Sequence, residues 1–336
     1  MANIVFSQGS GLNDSVFGKS QEPIKFFLEK RAEAFEQQSM LKHLFSMMSS
    51  KNYAEKFGGM TAMDGFKPTG EGGEVPTDGM QETFSQTLEH MTWMNSFSIT
   101  RAMIDDSKTI DLRQKPAQFI TGYHRTRERF GAALYAGAIN QKAEITFEGK
   151  KFKASGADKL ALFSQAHPSI LAKNTKKQCN LFADAFSKDA LNAVESSMQD
   201  FRGDNDEILN LAPDTIVIAN DYKLKDAVFS VIGADKDPAT ANNGFNYQFG
   251  RWNVIIWPYL NQFIGTGISP WMLLDSAYNE ENKGAVWLDR TGLEVESDVE
   301  RNRTNVWSGY SRFVAGFNDW RFAALGGLAN GKKLVG

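Results

Sequence analysis

The sequence predicts an α+β protein that carries an N-terminal arm and a long glycine-rich loop. Three observations support this. Residues Met91 to Met103 alternate apolar and polar with period two, the pattern of a half-buried strand. Pro116 opens a helical apolar pattern of about 22 residues, a rod of roughly 33 Å at 1.5 Å per residue. From about residue 175, β-branched runs such as Thr215–Ala219 alternate with helical runs such as Leu224, Ala227, Val228 and Val231.

The totals fit this class. A chain of 336 residues has room for two domains of ordinary size. With 42% hydrophobic and 23% charged residues it can bury a sizeable core without staples. The balance of 37 basic against 40 acidic residues gives a net charge of −3. That argues against the concentrated basic face of a strong non-specific DNA binder and leaves room only for weak contact. The single cysteine, Cys179, excludes an intrachain disulfide and suits a reducing compartment. Lys176 and Lys177 precede it and would lower its pKa if close. No histidine is near it in sequence, so an ordinary thiol is the plainer reading. No stretch approaches the roughly 18 apolar residues of a membrane span, and the longest apolar cluster is Val254–Leu260. The first residues lack the basic start and apolar run of a signal peptide, so synthesis and use in the cytoplasm are expected.

Residues 1–19 are small and polar and read as an arm. Ser20 caps a helix entering through Pro23. Ile24, Phe27, Leu28, Phe35, Leu41, Leu44 and Phe45 follow at roughly helical spacing. This helix belongs either to the surface of the body or to an arm that docks on a neighbour. Residues 58–80 hold Gly58, Gly59, Gly65, Gly70, Gly72, Gly73 and Gly79 with Pro68 and Pro76, which excludes a helix. No P-loop pattern occurs there. The segment is a linker or an extended hairpin. As a hairpin, limbs of about 11 residues would reach roughly 36 Å. A lone hairpin is marginal in water, so it would need a surface to lie on.

The strand from Met91 ends at Asp105-Asp106. On the helix from Pro116, one face carries Phe119, Ile120, Tyr123, Arg127, Phe130, Leu134 and Ala138. The other carries Arg125, Glu128 and Arg129, so an amphipathic helix is expected. Ser187 or Asp189 caps a helix bearing Leu191, Val194, Met198 and Phe201. Further strands are expected at 252–258, Trp271–Leu274 and Ala285–Leu288, with strand-like alternation through the last fifty residues. There is no internal repeat.

No catalytic, metal or cofactor signature emerges. His43, His90, His124 and His167 are scattered, without the spacing of a zinc site. His124 is expected on the helix surface. Asp200, Asp204, Asp206 and Glu207 lack EF-hand spacing and read as a solvated turn. Arg202-Gly203-Asp204 reads as a chance tripeptide. No nucleophile elbow or dinucleotide fingerprint appears. The chain therefore reads as no enzyme, with no cofactor. Trp252, Trp257, Trp271, Trp287, Trp307 and Trp320 are expected mostly in the core. Aromatic residues also dominate interface hot spots, and Phe66 in the loop has no core of its own to enter.

Four features occur in a telling order: His167-Pro168, the helix ending Met198-Gln-Asp-Phe-Arg202, the strand Asp214–Ala219, and the loop Asp235–Gly250. Together they resemble the Hong Kong 97-type major capsid proteins of tailed bacteriophages, most of all the Mu-like head subunits, from about residue 50 to the end. The resemblance implies an N-terminal arm and helix at 1–50 and an extended loop hairpin at 51–104, with the strand 91–104 as its returning limb. It implies a peripheral domain at 105–174 with a spine helix at 116–138, an axial domain at 175–282, and a return to the peripheral domain at 283–336. The implied function is a head subunit that self-assembles into hexamers and pentamers of an icosahedral shell around double-stranded DNA. Assembly would take place in the bacterial host cytoplasm, with no membrane involved. Scaffolding, portal and cement proteins are the implied partners, with weak contact to packaged DNA. Phe66, Lys67, Pro68, Glu71 and Glu74 fall in the intersubunit loop, and Tyr123, Arg125, Arg127 and Arg129 on the spine helix. Some members weld neighbours through a lysine–asparagine isopeptide bond. Lys67 is the candidate lysine, and no local pattern identifies a partner. Other members lose an N-terminal segment, which a chain beginning at Met1 does not suggest. The alternatives are an encapsulin-type nanocompartment shell, and a soluble ligand-binding protein or enzyme with a Gly-rich lid.

Overall fold

A computed structural model describes residues 5–6, 34–35, 37–60, 66, 68–71, 73–75, 77, 82–100, 102, 114–170, 177–233, 246–265 and 267–335. The expected Ser20 cap, Pro23, Lys67, the Asp105-Asp106 stop and most of the 235–250 loop lie outside these residues. In chain order the strands are β1 (Val5–Phe6), β2 (Ser46–Ser49), β3 (Ala54–Met60), β4 (Glu82–Glu89), β5 (Met91–Ile99), β6 (Glu144–Phe147), β7 (Lys150–Lys153), β8 (Thr215–Ala219), β9 (Asn253–Trp257), β10 (Trp271–Leu274), β11 (Ala285–Val299), β12 (Asn305–Phe317) and β13 (Ala323–Gly326). The helices are α1 (Leu41–Leu44), α2 (Gln114–Ile139), α3 (Lys188–Gln199), α4 (Tyr222–Ile232) and α5 (Ser276–Asn282).

Two sheets organise the chain. The larger has the order β1-β11-β12-β5, with β2 also parallel to β11. Its backbone is the antiparallel pair β11–β12, which runs from Ala285↔Phe317 to Val299↔Asn305 with irregularities around Arg290. The smaller has the order β13-β10-β8-β9, with β8 and β9 parallel. Every residue of β8, β10 and β13 is buried, which explains their near-continuous apolar sequences. The helix α3 covers this region with Leu191, Val194 and Met198, and α4 with Leu224, Val228 and Ile232. Ser187 caps α3 by accepting from Ala190 N at 3.1 Å. One hydrophobic core, from Leu41 to Leu328, runs across both sheets and α2.

Several expectations are corrected. The 26-residue α2, about 39 Å long, is not amphipathic throughout: residues 130–139 are buried on every side. The stretch Gly131-Ala-Ala-Leu-Tyr-Ala-Gly-Ala-Ile139 is small enough for neighbours to close in all round. At Gly131 a Cβ would collide with Leu41 Cδ2. The returning limb of the hairpin is β4, not the 91–104 strand. The strands β3 and β4 pair from Ala54↔Glu89 to Met60↔Glu82, whereas β5 pairs with β12. The paired limb of seven residues spans about 23 Å, shorter than the reach expected from sequence. The strand expected at Ala285–Leu288 extends to Val299. The segment 283–336 divides between the sheets, because β13 leaves β12 and pairs with β10.

The hairpin is held at its root. Leu88 is buried with Val286, Leu288 and Val314, and Phe57 packs against them. A Cβ at Gly316 would strike Leu88 Cδ2, so the glycine makes room for this anchor. Gln86 Nε2 donates to Ser155 O at 3.3 Å in the interior. Leu88→Ala is expected to cost about 2–4 kcal/mol of stability in urea unfolding through the cavity it leaves. It should also speed amide exchange in β3 and β4 before any other element.

Candidate functional site

Three surfaces and one buried junction carry the residues the sequence singled out. The first surface is the hairpin tip. Phe66 is fully solvent-exposed at 109%, and Val75 is 82% exposed. Pro68, Glu71 and Glu74 are also exposed, and Gly73 N donates to Gly70 O at 2.9 Å to close a turn. None of these described residues enters the core of its own subunit.

The helix α2 separates its four candidate residues. Arg125 is exposed. Arg129 is half-buried, lies over the Phe147 ring and pairs with Glu148 at 3.2 Å. Tyr123 and Arg127 turn inward. Arg127 donates to both oxygens of Asp289 at 2.7 and 2.8 Å and to the Tyr123 hydroxyl at 3.0 Å. Its guanidinium lies 4.8 Å from the Trp287 ring centroid and 5.1 Å from that of Phe313. Trp287 Nε1 donates to the same carboxylate at 3.1 Å. Burial opposes the arginine's charge, yet the Tyr123 oxygen and the Asp289 carboxylate outweigh it and raise its pKa. This junction ties α2 to β11. Sequence spacing placed Arg127 on the inner face, but Asp289 is 162 residues away and no local pattern links the two.

The next residue, Glu128, fastens a third segment. Its Oε1 accepts from Ser39 Oγ at 2.6 Å and Met40 N at 3.0 Å, and its Oε2 from Trp257 Nε1 at 3.1 Å. Burial raises its pKa, and these bonds pull it back. His124 is a correction: it is buried, stacked on Phe35 at 5.4 Å, with Nε2 unpartnered among the described residues. Burial, aided by Arg127, lowers its pKa to about 4. Beside these residues runs the second surface, a groove of about 1060 Å³ between the 37–42 turn, the first half of α2 and the β11 edge.

The third surface lies on the small sheet's side. On α4, Tyr222 and Phe229 are exposed, as are Tyr247 and Phe249 in the following loop. Gln248 between them is buried and donates to Asn192 and Glu195 at 2.8 and 2.9 Å, fixing that loop on α3.

Other candidates resolve as structural. Asp204 is not in a solvated turn: it is buried, pairs with Arg321 at 3.2 Å and accepts from Ser169 Oγ at 3.2 Å. Within the Arg202-Gly203-Asp204 tripeptide, Gly203 and Asp204 are buried and Arg202 is exposed. His167 is fully enclosed, with Nδ1 2.6 Å from Asp158, Nε2 3.1 Å from Asn180, and its ring stacked on Trp320 at 4.2 Å. Burial raises the Cys179 thiol pKa and outweighs the opposing charge of Lys332. Trp257, Trp271 and Trp287 are wholly buried, in keeping with core packing. Among the described residues no His, Cys, Asp or Glu group is arranged to hold a metal ion, and no helix is long and apolar enough to cross a membrane.

These two sheets, the long α2 and the projecting hairpin define a Hong Kong 97-type capsid fold. Solved structures agree. The capsid of Ralstonia phage GP4 aligns over 84% of this chain and 88% of its own, with a TM-score of 0.54 and 10% identity. The capsid of cyanophage P-SCSP1u aligns over 86% and 88%, at 0.53 and 10%. A structure from Mycobacterium phage Patience aligns over 99% and 94%, at 0.51 and 11%. No curated protein sequence matches the chain. The family model of phage capsid proteins matches residues 86–325, and the chain belongs to that family. Its role is that of a phage capsid subunit.

Arg127→Met is expected to destabilise the subunit by about 3 kcal/mol, because it strands a partly buried carboxylate. Asp289→Leu added to it should restore part of that loss in urea unfolding. The His124 shift sets a pH dependence. Its unfolded value is 6.5 and its folded value about 4. Its contribution is therefore intact above pH 6.5 and is lost as pH falls from 6.5 toward 4. Protonation of Glu128, whose folded pKa is raised, works in the opposite sense. His124→Phe should lose less stability than the parent between pH 7 and pH 4.5, measured by urea unfolding at each pH.

Proposed function

We propose that this chain assembles as hexamers and pentamers, with the β3–β4 hairpin of each subunit lying across a neighbour. The observation that carries this reading is Phe66: a large aromatic side chain, wholly exposed, beyond the end of a two-stranded limb. An isolated hairpin of this kind is marginal in water and gains order only against another surface. A second subunit offers that surface, and many modest contacts of this sort close a stable shell through multivalency.

The segment 175–282, which carries the exposed Tyr222, Phe229, Tyr247 and Phe249, is the part that gathers around the symmetry axes in this reading. Residues 105–174, with the spine helix, form the peripheral body, which 283–336 rejoins through β11 and β12. The arm in this reading is the part of 1–50 that precedes Leu41, since Leu41, Leu44 and Phe45 pack in the core and β2 pairs with β11. Contact with packaged double-stranded DNA is weak, in keeping with a net charge of −3. Assembly takes place in the host cytoplasm, with scaffolding, portal and cement proteins as partners. The role is structural rather than catalytic. Family membership favours a virus head over a nanocompartment.

Deleting residues 66–76 tests the loop assignment. The variant is expected to keep a cooperative unfolding transition within about 1 kcal/mol of the parent, because none of the described residues removed packs into the core. Electron microscopy should find no closed shells. Normal particles from the deletion would overturn the assignment.

A further inference from the structure

The chain carries a net charge of −3, yet its charge is unevenly spread. The short hairpin β6–β7, which follows the end of α2, is strongly positive. Between Lys142 and Lys153 four lysines, Lys142, Lys150, Lys151 and Lys153, stand against Glu144 and Glu148. Glu148 is taken up by Arg129 at 3.2 Å. All four lysines are exposed. Among the described residues, no carboxylate lies within ion-pair distance of any of them, and Glu144, opposite Lys153 in the pair, is no exception.

The fold presents these lysines as a fixed surface. Glu148 and Gly149 take positive φ values of 45° and 76°, the two-residue turn whose twist suits an antiparallel pair. Ile145, Phe147 and Phe152 are buried. Phe152 lies 4.7 Å from the Phe130 ring and 5.9 Å from Trp93. Side chains alternate across a strand, so burying Phe152 turns Lys151 and Lys153 outward. The outer face therefore pairs Glu144 with Lys153 and Thr146 with Lys151, and Lys150 stands at the turn. It holds no aromatic or aliphatic side chain.

The composition of this face selects its partner. Protein interfaces are enriched in aromatic residues, methionine and arginine, and depleted in lysine. Lysine is a hydrated point charge on a flexible stem, able to meet a phosphate without a fixed geometry. A face of unpaired lysines with no apolar centre suits a repeating polyanion better than a folded protein.

We propose that the outer face of β6–β7 is where the subunit touches the phosphate backbone of double-stranded DNA, through Lys150, Lys151 and Lys153. The inference rests on the weak DNA contact proposed above and assigns that contact to residues. It ignores base sequence, and so few charges keep each contact light and salt-sensitive.

The first measurement uses the dispersed subunit and a fluorescent duplex of about 30 base pairs, with anisotropy followed as KCl rises from about 20 to 200 mM. Lys150→Gln, Lys151→Gln and Lys153→Gln together should make log affinity against log salt shallower by about 3, with urea unfolding unchanged. The control carries Lys51→Gln, Lys223→Gln and Lys333→Gln, three exposed lysines elsewhere, and makes the same change in net charge. Its slope should stay within about 1 of the parent's. An equal loss in both variants, or no binding by the parent at low salt, would overturn the inference. Polyglutamate bound as tightly as the duplex, and lost in the hairpin variant, would overturn it in favour of an acidic protein partner. The second measurement acetylates lysines in DNA-filled and emptied particles and reads the peptides by mass spectrometry. Lys150, Lys151 and Lys153 should be protected several-fold when DNA is inside. Equal labelling would overturn the inference and leave the shell assignment standing. Failure of the parent chain to form shells would overturn the assembly reading instead, and the duplex measurement would still decide this one.

Discussion

The fold depends on one buried charge held over an aromatic floor. Arg127 has Asp289 on one side, the Tyr123 hydroxyl beside it, and the rings of Trp287 and Phe313 beneath its guanidinium. Below lies a cluster of rings: Trp93 on Phe313 at 4.8 Å, Phe130 on Phe152 at 4.7 Å, and Trp287 on Phe313 at 5.3 Å. These rings come from β5, α2, β7, β11 and β12, so these elements share one packing problem. Removing a charge from water is expensive, and only a full set of partners offsets it. The carboxylate, the phenol and the ring faces together supply that set. The result is a defined angle and register between a long helix and a long strand, which apolar packing alone specifies less sharply.

The same helix fixes the other half of the subunit. Glu128, next to Arg127, reaches Ser39 and Met40 on one side and Trp257 at the end of β9 on the other. Adjacent residues with opposite charges therefore clamp the large sheet and the small sheet to one rod. The polar interior elsewhere follows the same rule. Asp204, Arg321, Asp319 and Tyr278 satisfy one another, and Asp158, His167 and Asn180 do likewise beneath Trp320. The first set joins segments more than a hundred residues apart, whereas Asp158, His167 and Asn180 are near in sequence and only Trp320 is distant.

What was legible in the sequence was what short-range physics controls. Thr215–Ala219 and Trp271–Leu274 read as strands because unbroken β-branched or apolar runs have few other fates, and the structure has them with the same bounds. The helix from Pro116 read correctly in place and length to within two residues at the N-terminus and one at the C-terminus. The order of elements also carried the resemblance to phage head subunits. What failed was what distant partners decide. The strand β4 was missed because Glu82–Glu89 is polar on its open face, and its buried Gln86 and Leu88 make a weak signal. Asp204 read as solvent-exposed because Arg321, more than a hundred residues later, is invisible to local spacing. His124 read as a surface residue because Phe35, which covers it, comes from the N-terminal segment. At the hairpin tip, composition identified a loop, and its exposed Phe66 was singled out because no apolar neighbour in sequence could shelter it.

The departure of β13 from β12 has a mechanical consequence. The chain passes between the two sheets three times: before β8, between β10 and β11, and between β12 and β13. Two sheets laced in this way form a plate rather than a hinge. Load applied to one half passes to the other through covalent backbone as well as through side-chain packing. In a vessel under outward pressure from its contents, such a tile bends little. Adjustment of curvature is then left to the parts that extend beyond the plate.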